Sequence, residues 1–87
     1  ECVVKDLSYE SVAAKNKEIV TVKNNGTEAA EFVEGSMLFF LGDQVVGYTS
    51  RYFTDDDSEL KPGKSKTIEM DCYETYDSYK IFFTGRK

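Results

Sequence analysis

Met37-Leu38-Phe39-Phe40-Leu41-Gly42-Asp43-Gln44-Val45-Val46-Gly47-Tyr48 is the stretch that decides the fold of this 87-residue chain. It reads as two apolar strands folded about Gly42-Asp43, the glycine-first pair preferred by a two-residue type II′ hairpin turn. With Leu41 opposite Gln44, alternation places Phe39 against Val46 and Met37 against Tyr48 on one face, and Phe40 against Val45 on the other. Both faces are apolar. One can line a core, and the second requires a cover or a partner.

Outward from the hairpin the chain is a succession of short strands and turn signals. Cys2 to Tyr9 carries Val3, Leu7 and Tyr9 with Lys5 interrupting, the pattern of an edge strand. After a polar break at Ala14 to Lys17, Val20 and Val22 face in while Thr21 and Lys23 face out. Asn24-Asn25-Gly26-Thr27 then supplies turn chemistry. Phe32 to Leu41 directs Val33, Gly35, Met37 and Phe39 inward, extending to Leu41. Gly35 leaves a hole for a neighbouring aromatic ring or marks a bulge. Leu60-Lys61-Pro62-Gly63 reads as a type II turn, because Pro pre-sets its first central position and Gly accepts the positive φ of the second. Ile68, Met70 and Cys72 face in along the next strand, and Tyr79, Ile81 and Phe83 along the last. No segment sustains a helical period. Six or seven strands spaced in this way predict a single domain over 1–87, an antiparallel β-sandwich.

Composition narrows the function classes. The 11 Lys and Arg against 16 Asp and Glu give a net charge of −5, which argues against nucleic acid and anionic membrane surfaces as partners. The apolar runs are far too short to insert in a membrane, and no charged-then-apolar signal peptide opens the chain. There is no histidine. The usual neutral-pH base, the imidazole metal ligand and the triad orienter are all missing, so the expectation is no enzyme, no catalytic residue and no cofactor. Ser65-Lys66 and Ser78 with Lys80 are the nearest approach to a nucleophile and base, and Lys80 is expected to face solvent.

Three polar or aromatic groups are candidates for binding. Asp55, Asp56, Asp57 and Glu59 cluster hard oxygen ligands of the kind calcium requires, although the alternate spacing and glycine of a calcium loop are missing, and a solvated acidic turn is the competing reading. Tyr52, Tyr73 and Tyr76 lie near strand ends and are the surface candidates for sugar or peptide, whereas Tyr9, Tyr48 and Tyr79 fall on inward positions. Tyr76 or Tyr79 is equally placed to form a corner-type hydrogen bond to the backbone before a late strand. Cys2 and Cys72 admit either a bridge closing nearly the whole chain or two small buried thiols.

The order of VTVKNNGTEAAEFVE, an apolar strand, a Gly-Asp hairpin with VVG, the acidic DDDSELKPGKSKTIEM and YDSYKIFFTG resembles the FxLYD domains of Gram-positive bacterial envelope and secreted proteins. The resemblance spans essentially the whole chain. Val22-Lys23-Asn24-Asn25 and Leu60-Lys61-Pro62-Gly63 match best, while the name-giving signature falls on Met37 to Leu41, where Met37, Phe40 and Leu41 depart from it and Phe39 stands for its leucine. The resemblance implies an immunoglobulin-like sandwich, an extracellular or cell-envelope location and a noncatalytic accessory role. It carries over no active site. In such a sheet the third strand lies beside both its hairpin partner and a late strand, so Leu38, Phe40, Val45 and Phe82 share one exposed surface. That surface is expected to pack on a neighbouring copy, another domain of the parent protein or a separate protein.

Overall fold

A computed structural model describes residues 2–3, 6–54 and 59–86 of the chain. They form β1 (Cys2–Val3), β2 (Leu7–Ala14), β3 (Lys17–Asn24), β4 (Ala30–Leu41), β5 (Gln44–Tyr52), β6 (Glu59–Leu60), β7 (Ser65–Asp71) and β8 (Ser78–Arg86). Two antiparallel sheets pack together. The larger runs β1-β8-β4-β5, with β6 joined to the start of β4, and the smaller runs β2-β3-β7. The expected β-sandwich is therefore formed by six longer strands and two of two residues each. The chain changes sheet after β1, after β3, after β6 and again after β7, so each sheet mixes early and late strands, as immunoglobulin-like sandwiches do. Among the described residues no helix is long and apolar enough to cross a membrane.

The core follows from alternation. Val20 and Val22 of β3, Val33, Met37 and Phe39 of β4, Met70 of β7 and the loop residues Phe53 and Cys72 are buried together. Gly35 is the hole that its position predicted. A Cβ there would lie 2.6 Å from the Phe53 ring and 3.2 Å from the Phe83 ring; these two rings meet edge to face with centroids 5.5 Å apart. Leu41, by contrast, is exposed beside the turn.

Two expectations are corrected. The first concerns the hairpin. Gly42 has φ 61° and Asp43 has no positive φ, as a type II′ turn requires, and Leu41 pairs with Gln44 and Phe40 with Val45. Beyond that pair the strands do not stay in step. Phe39 lies opposite Gly47, not Val46, so Val46 is an extra residue in a β-bulge, Met37 pairs with Thr49, and Tyr48 pairs with Leu38. One inserted residue reverses every later side chain of β5, which sends Tyr48 to the outer face at 64% exposure. The bulge falls where Cys72 crosses the strand: a Cβ on Gly47 would meet the Cys72 Sγ at 2.9 Å.

The second correction concerns the N-terminal segment, which is not one edge strand. Cys2 and Val3 pair with Gly85 and Thr84 of β8 in the larger sheet, and Leu7 begins β2 in the smaller one. Cys2 thus sits opposite the end of β8, while Cys72 is a free, buried thiol beside Gly47. Of the two cysteine readings, Cys72 takes the buried-thiol one.

Asn24 joins the two blocks on which the resemblance is strongest. Its buried Nδ2 donates to the carbonyls of Glu28 (2.8 Å) and Leu60 (2.9 Å), and its Oδ1 accepts from Gly26 N–H (2.8 Å). Its backbone N–H donates to Lys64 O (3.0 Å), and its carbonyl accepts from Gly63 N–H (2.7 Å). Lys64 N–H closes on Lys61 O at 3.0 Å and Gly63 has φ 79°, completing the expected type II turn around Pro62-Gly63. The Asn24→Asp variant keeps shape and acceptor but removes both donated bonds and buries a charge. A loss of about 3 kcal/mol is expected in urea denaturation; an unchanged midpoint would contradict this role. Gly35→Ala, forcing a methyl into the Phe53 ring, should cost about 2 kcal/mol in the same measurement.

Candidate functional site

The outer face of the larger sheet gathers the four residues expected there. Phe82 lies opposite Ser36, Lys80 opposite Leu38 and Ser78 opposite Phe40, and on the other side Ser50, Tyr48 and Val45 pair with the same three positions of β4. Val45 and Phe82 are each 51% exposed, while Leu38 and Phe40 are half-buried. Phe40 is partly sheltered by Lys80, whose Nζ stands 5.9 Å from the ring centroid. Tyr48 completes the patch beside Leu38. Sequence alternation missed it because period-two reading carries no sign of an extra residue; the one local signal was Gly47, since a glycine inside a strand marks a bulge or a close approach.

Toward the far end of β4 the face turns polar. Ser50 Oγ donates to Glu34 Oε2 (2.7 Å) and lies 3.0 Å from Ser36 Oγ. The surface is thus an apolar patch bounded by a hydrogen-bonded polar line and carrying the Lys80 cation.

The other candidates do not converge. Tyr52 is exposed opposite Glu34, at the end of β5 remote from the hairpin turn. Tyr73 is 75% exposed in the loop after β7. Tyr76 turns inward from the same loop, stacks edge to face on Phe39 at 4.8 Å, and donates its hydroxyl to the carboxylate of Glu18. The corner-type bond to backbone is thereby replaced by one to a side chain. Asp55, Asp56 and Asp57 lie outside the described residues; Glu59 is exposed in β6 opposite Glu31.

Glu18 is a buried carboxylate on the inner face of β3, in step with Val20 and Val22, and it is held by two hydroxyls, Ser11 Oγ and Tyr76 Oη. Burial, followed by the hydrogen bond to Glu18, pushes the Tyr76 phenol well above its ordinary value of 10.0. Tyr9 is raised in the same direction by burial and by Tyr79. A phenol whose folded pKa exceeds its unfolded one contributes stability that is complete below pH 10.0 and is lost as pH climbs above it, because the unfolded chain then binds fewer protons. Melting curves should show stability falling above that pH, and Tyr76→Phe should flatten the fall while Tyr9 retains part of it. An alkaline limb of unaltered slope in the variant would contradict the assignment.

The scan against family models returns no match for this chain, and neither the curated proteins nor the solved structures contain one similar to it.

Proposed function

We propose that this chain is a noncatalytic accessory domain that mediates protein contacts or spacing within a secreted or envelope protein of a Gram-positive bacterium. The observation that carries the reading is the outer face of β4, β5 and β8, where Val45, Tyr48 and Phe82 stand exposed beside Leu38 and Phe40. Contiguous apolar side chains on a folded surface gain free energy when a partner removes them from water. The resemblance to FxLYD domains supports the extracytoplasmic setting and the accessory role, and the chain's lack of histidine supports a role without acid–base chemistry at neutral pH. The fold supports it too, since a sandwich presents a rigid, preformed face that needs no rearrangement to dock.

The test is binding of the immobilised domain to secreted and envelope proteins of a Gram-positive culture, with and without Val45→Thr and Phe82→Thr. Threonine keeps the strand preference and removes apolar area. Truncating two contact residues should weaken binding at least about tenfold, with the melting temperature little changed because both side chains are half in solvent. Undiminished binding by the double variant would remove the face as the contact site. A melting temperature that rises with added calcium would instead favour the acidic segment as a metal site.

A further inference from the structure

The sandwich is closed more completely on one side than on the other. Between β5 and β7, Met70 and Phe53 are buried, and Arg51 of β5 reaches across to donate to the Glu69 carbonyl at 3.0 Å. On the opposite side, between β8 and β2, the inward-facing Tyr79, Ile81 and Phe83 are only half-buried. Tyr9 of β2, which leans on Phe83 with ring centroids 5.8 Å apart, is 44% exposed. The open side is also where the larger sheet is incomplete. β1 pairs with Thr84 and Gly85 alone, and among the described residues nothing pairs with Ser78, Tyr79, Lys80 or Ile81 on that side of β8.

We infer that the open edge of β8, from Ser78 to Ile81, is a docking site for an extended segment of another polypeptide, which adds to the larger sheet as a further strand. An unpaired strand edge presents backbone N–H and C=O groups at the spacing that only another extended backbone satisfies. β1 already adds to the same edge in this way, at Thr84 and Gly85. The added strand would lay alternate apolar side chains over Tyr79 and Ile81, facing Tyr9, and supply the cover that this flank of the core lacks.

The chemistry of the edge selects a foreign strand over a second copy. Antiparallel self-pairing that keeps inward residues on the inward face must centre on a single residue. Centred on Lys80, it sets Lys80 directly against Lys80, a destabilising like-charge pair. Centred on Ile81, it needs Thr84 opposite Ser78, and Thr84 is taken by Val3; centred on Tyr79, it keeps only Ser78, Tyr79 and Lys80 within the strand and sets Ile81 against Asp77, whose carboxylate already accepts from Gly42 N–H. The chain's net charge of −5 adds mutual repulsion. A partner with apolar residues over Tyr79 and Ile81 and an acidic residue opposite Lys80 meets none of these obstacles.

This site is the backbone edge of β8 in the plane of the sheet; it shares Lys80 with the outer face but not Val45, Tyr48 or Phe82, so the two can fail separately. The probe is a short synthetic peptide alternating valine and threonine with one central glutamate, together with two controls N-methylated on one or the other set of alternate residues. Only one set of amides in an added strand points at β8. The parent peptide should bind saturably and slow hydrogen exchange of amides within Ser78–Ile81. One methylated control should lose at least about tenfold in affinity while the other binds like the parent. Lys80→Glu, an exposed substitution, should reverse the preference between the glutamate peptide and a lysine counterpart. No binding, binding indifferent to both methylation patterns, or NMR perturbation confined to Val45, Tyr48 and Phe82 would overturn the proposal.

Discussion

The pairing phase between β4 and β5 determines the character of both faces of the larger sheet. β4 carries apolar residues on each side, so its own alternation does not say which neighbours complete the core and which complete the surface. The single extra residue at Val46 resolves this. Before the bulge Val45 joins Phe40 on the outside; after it, Tyr48 joins Leu38 there and Thr49 stands opposite Met37. Without the bulge, Tyr48 would have to enter a core already filled by Phe39, Tyr76 and Cys72. The irregularity falls where the Cys72 sulfur approaches Gly47, so a buried thiol of the loop after β7 bears on the surface of the larger sheet.

The two ends of the sandwich are held by different chemistry. At one end Asn24, acting through neutral hydrogen bonds, ties β3 to β6 with its side chain and to the turn before β7 with its backbone. Those bonds saturate the amide, so its burial is compensated at all of its polar atoms. At the other end Glu18 takes the corresponding buried place on β3, three inward positions earlier, and is satisfied by hydroxyls in place of a cation. The Asn24 side chain has no proton to lose, whereas the Tyr76 hydroxyl that holds Glu18 does, so alkaline conditions act on the Glu18 contact and not on the Asn24 one.

What was legible in the sequence was what obeys short-range rules. The Gly42-Asp43 turn, the Pro62-Gly63 turn, the alternation of β3 and the inward set of β4 each follow from a few adjacent residues, and together they are enough for the sandwich and for the surface containing Leu38, Phe40, Val45 and Phe82. What was not legible depends on residues remote in sequence. The bulge answers to Cys72, far downstream of Gly47. Tyr76 turns inward because a carboxylate 58 residues earlier accepts its hydroxyl. The division of the N-terminal segment between two sheets is set by an open place beside β8, which no pattern within Cys2 to Tyr9 records. Phe32, with φ 53°, belongs with these: the strain sits where β4 leaves β6 and takes up β5, a change of partner that its own residue type does not favour.

The position of β8 also bears on how the domain comes into being. β4 pairs with β5 across a two-residue turn, a contact that closes almost as soon as both strands exist, but its other edge waits for β8, the last described strand in chain order. Closing so long a loop is slow compared with forming a hairpin. As it is synthesised, the chain therefore spends an interval with a two-faced apolar hairpin and no partner on one side of β4. The smaller sheet is delayed likewise, because β7, which flanks β3, is made after β5. A chain cut short before β8 would keep that hairpin permanently uncovered. Completion of the final strand is thus the step that covers the free edge of β4 and ends the exposure of the nascent hairpin on that side.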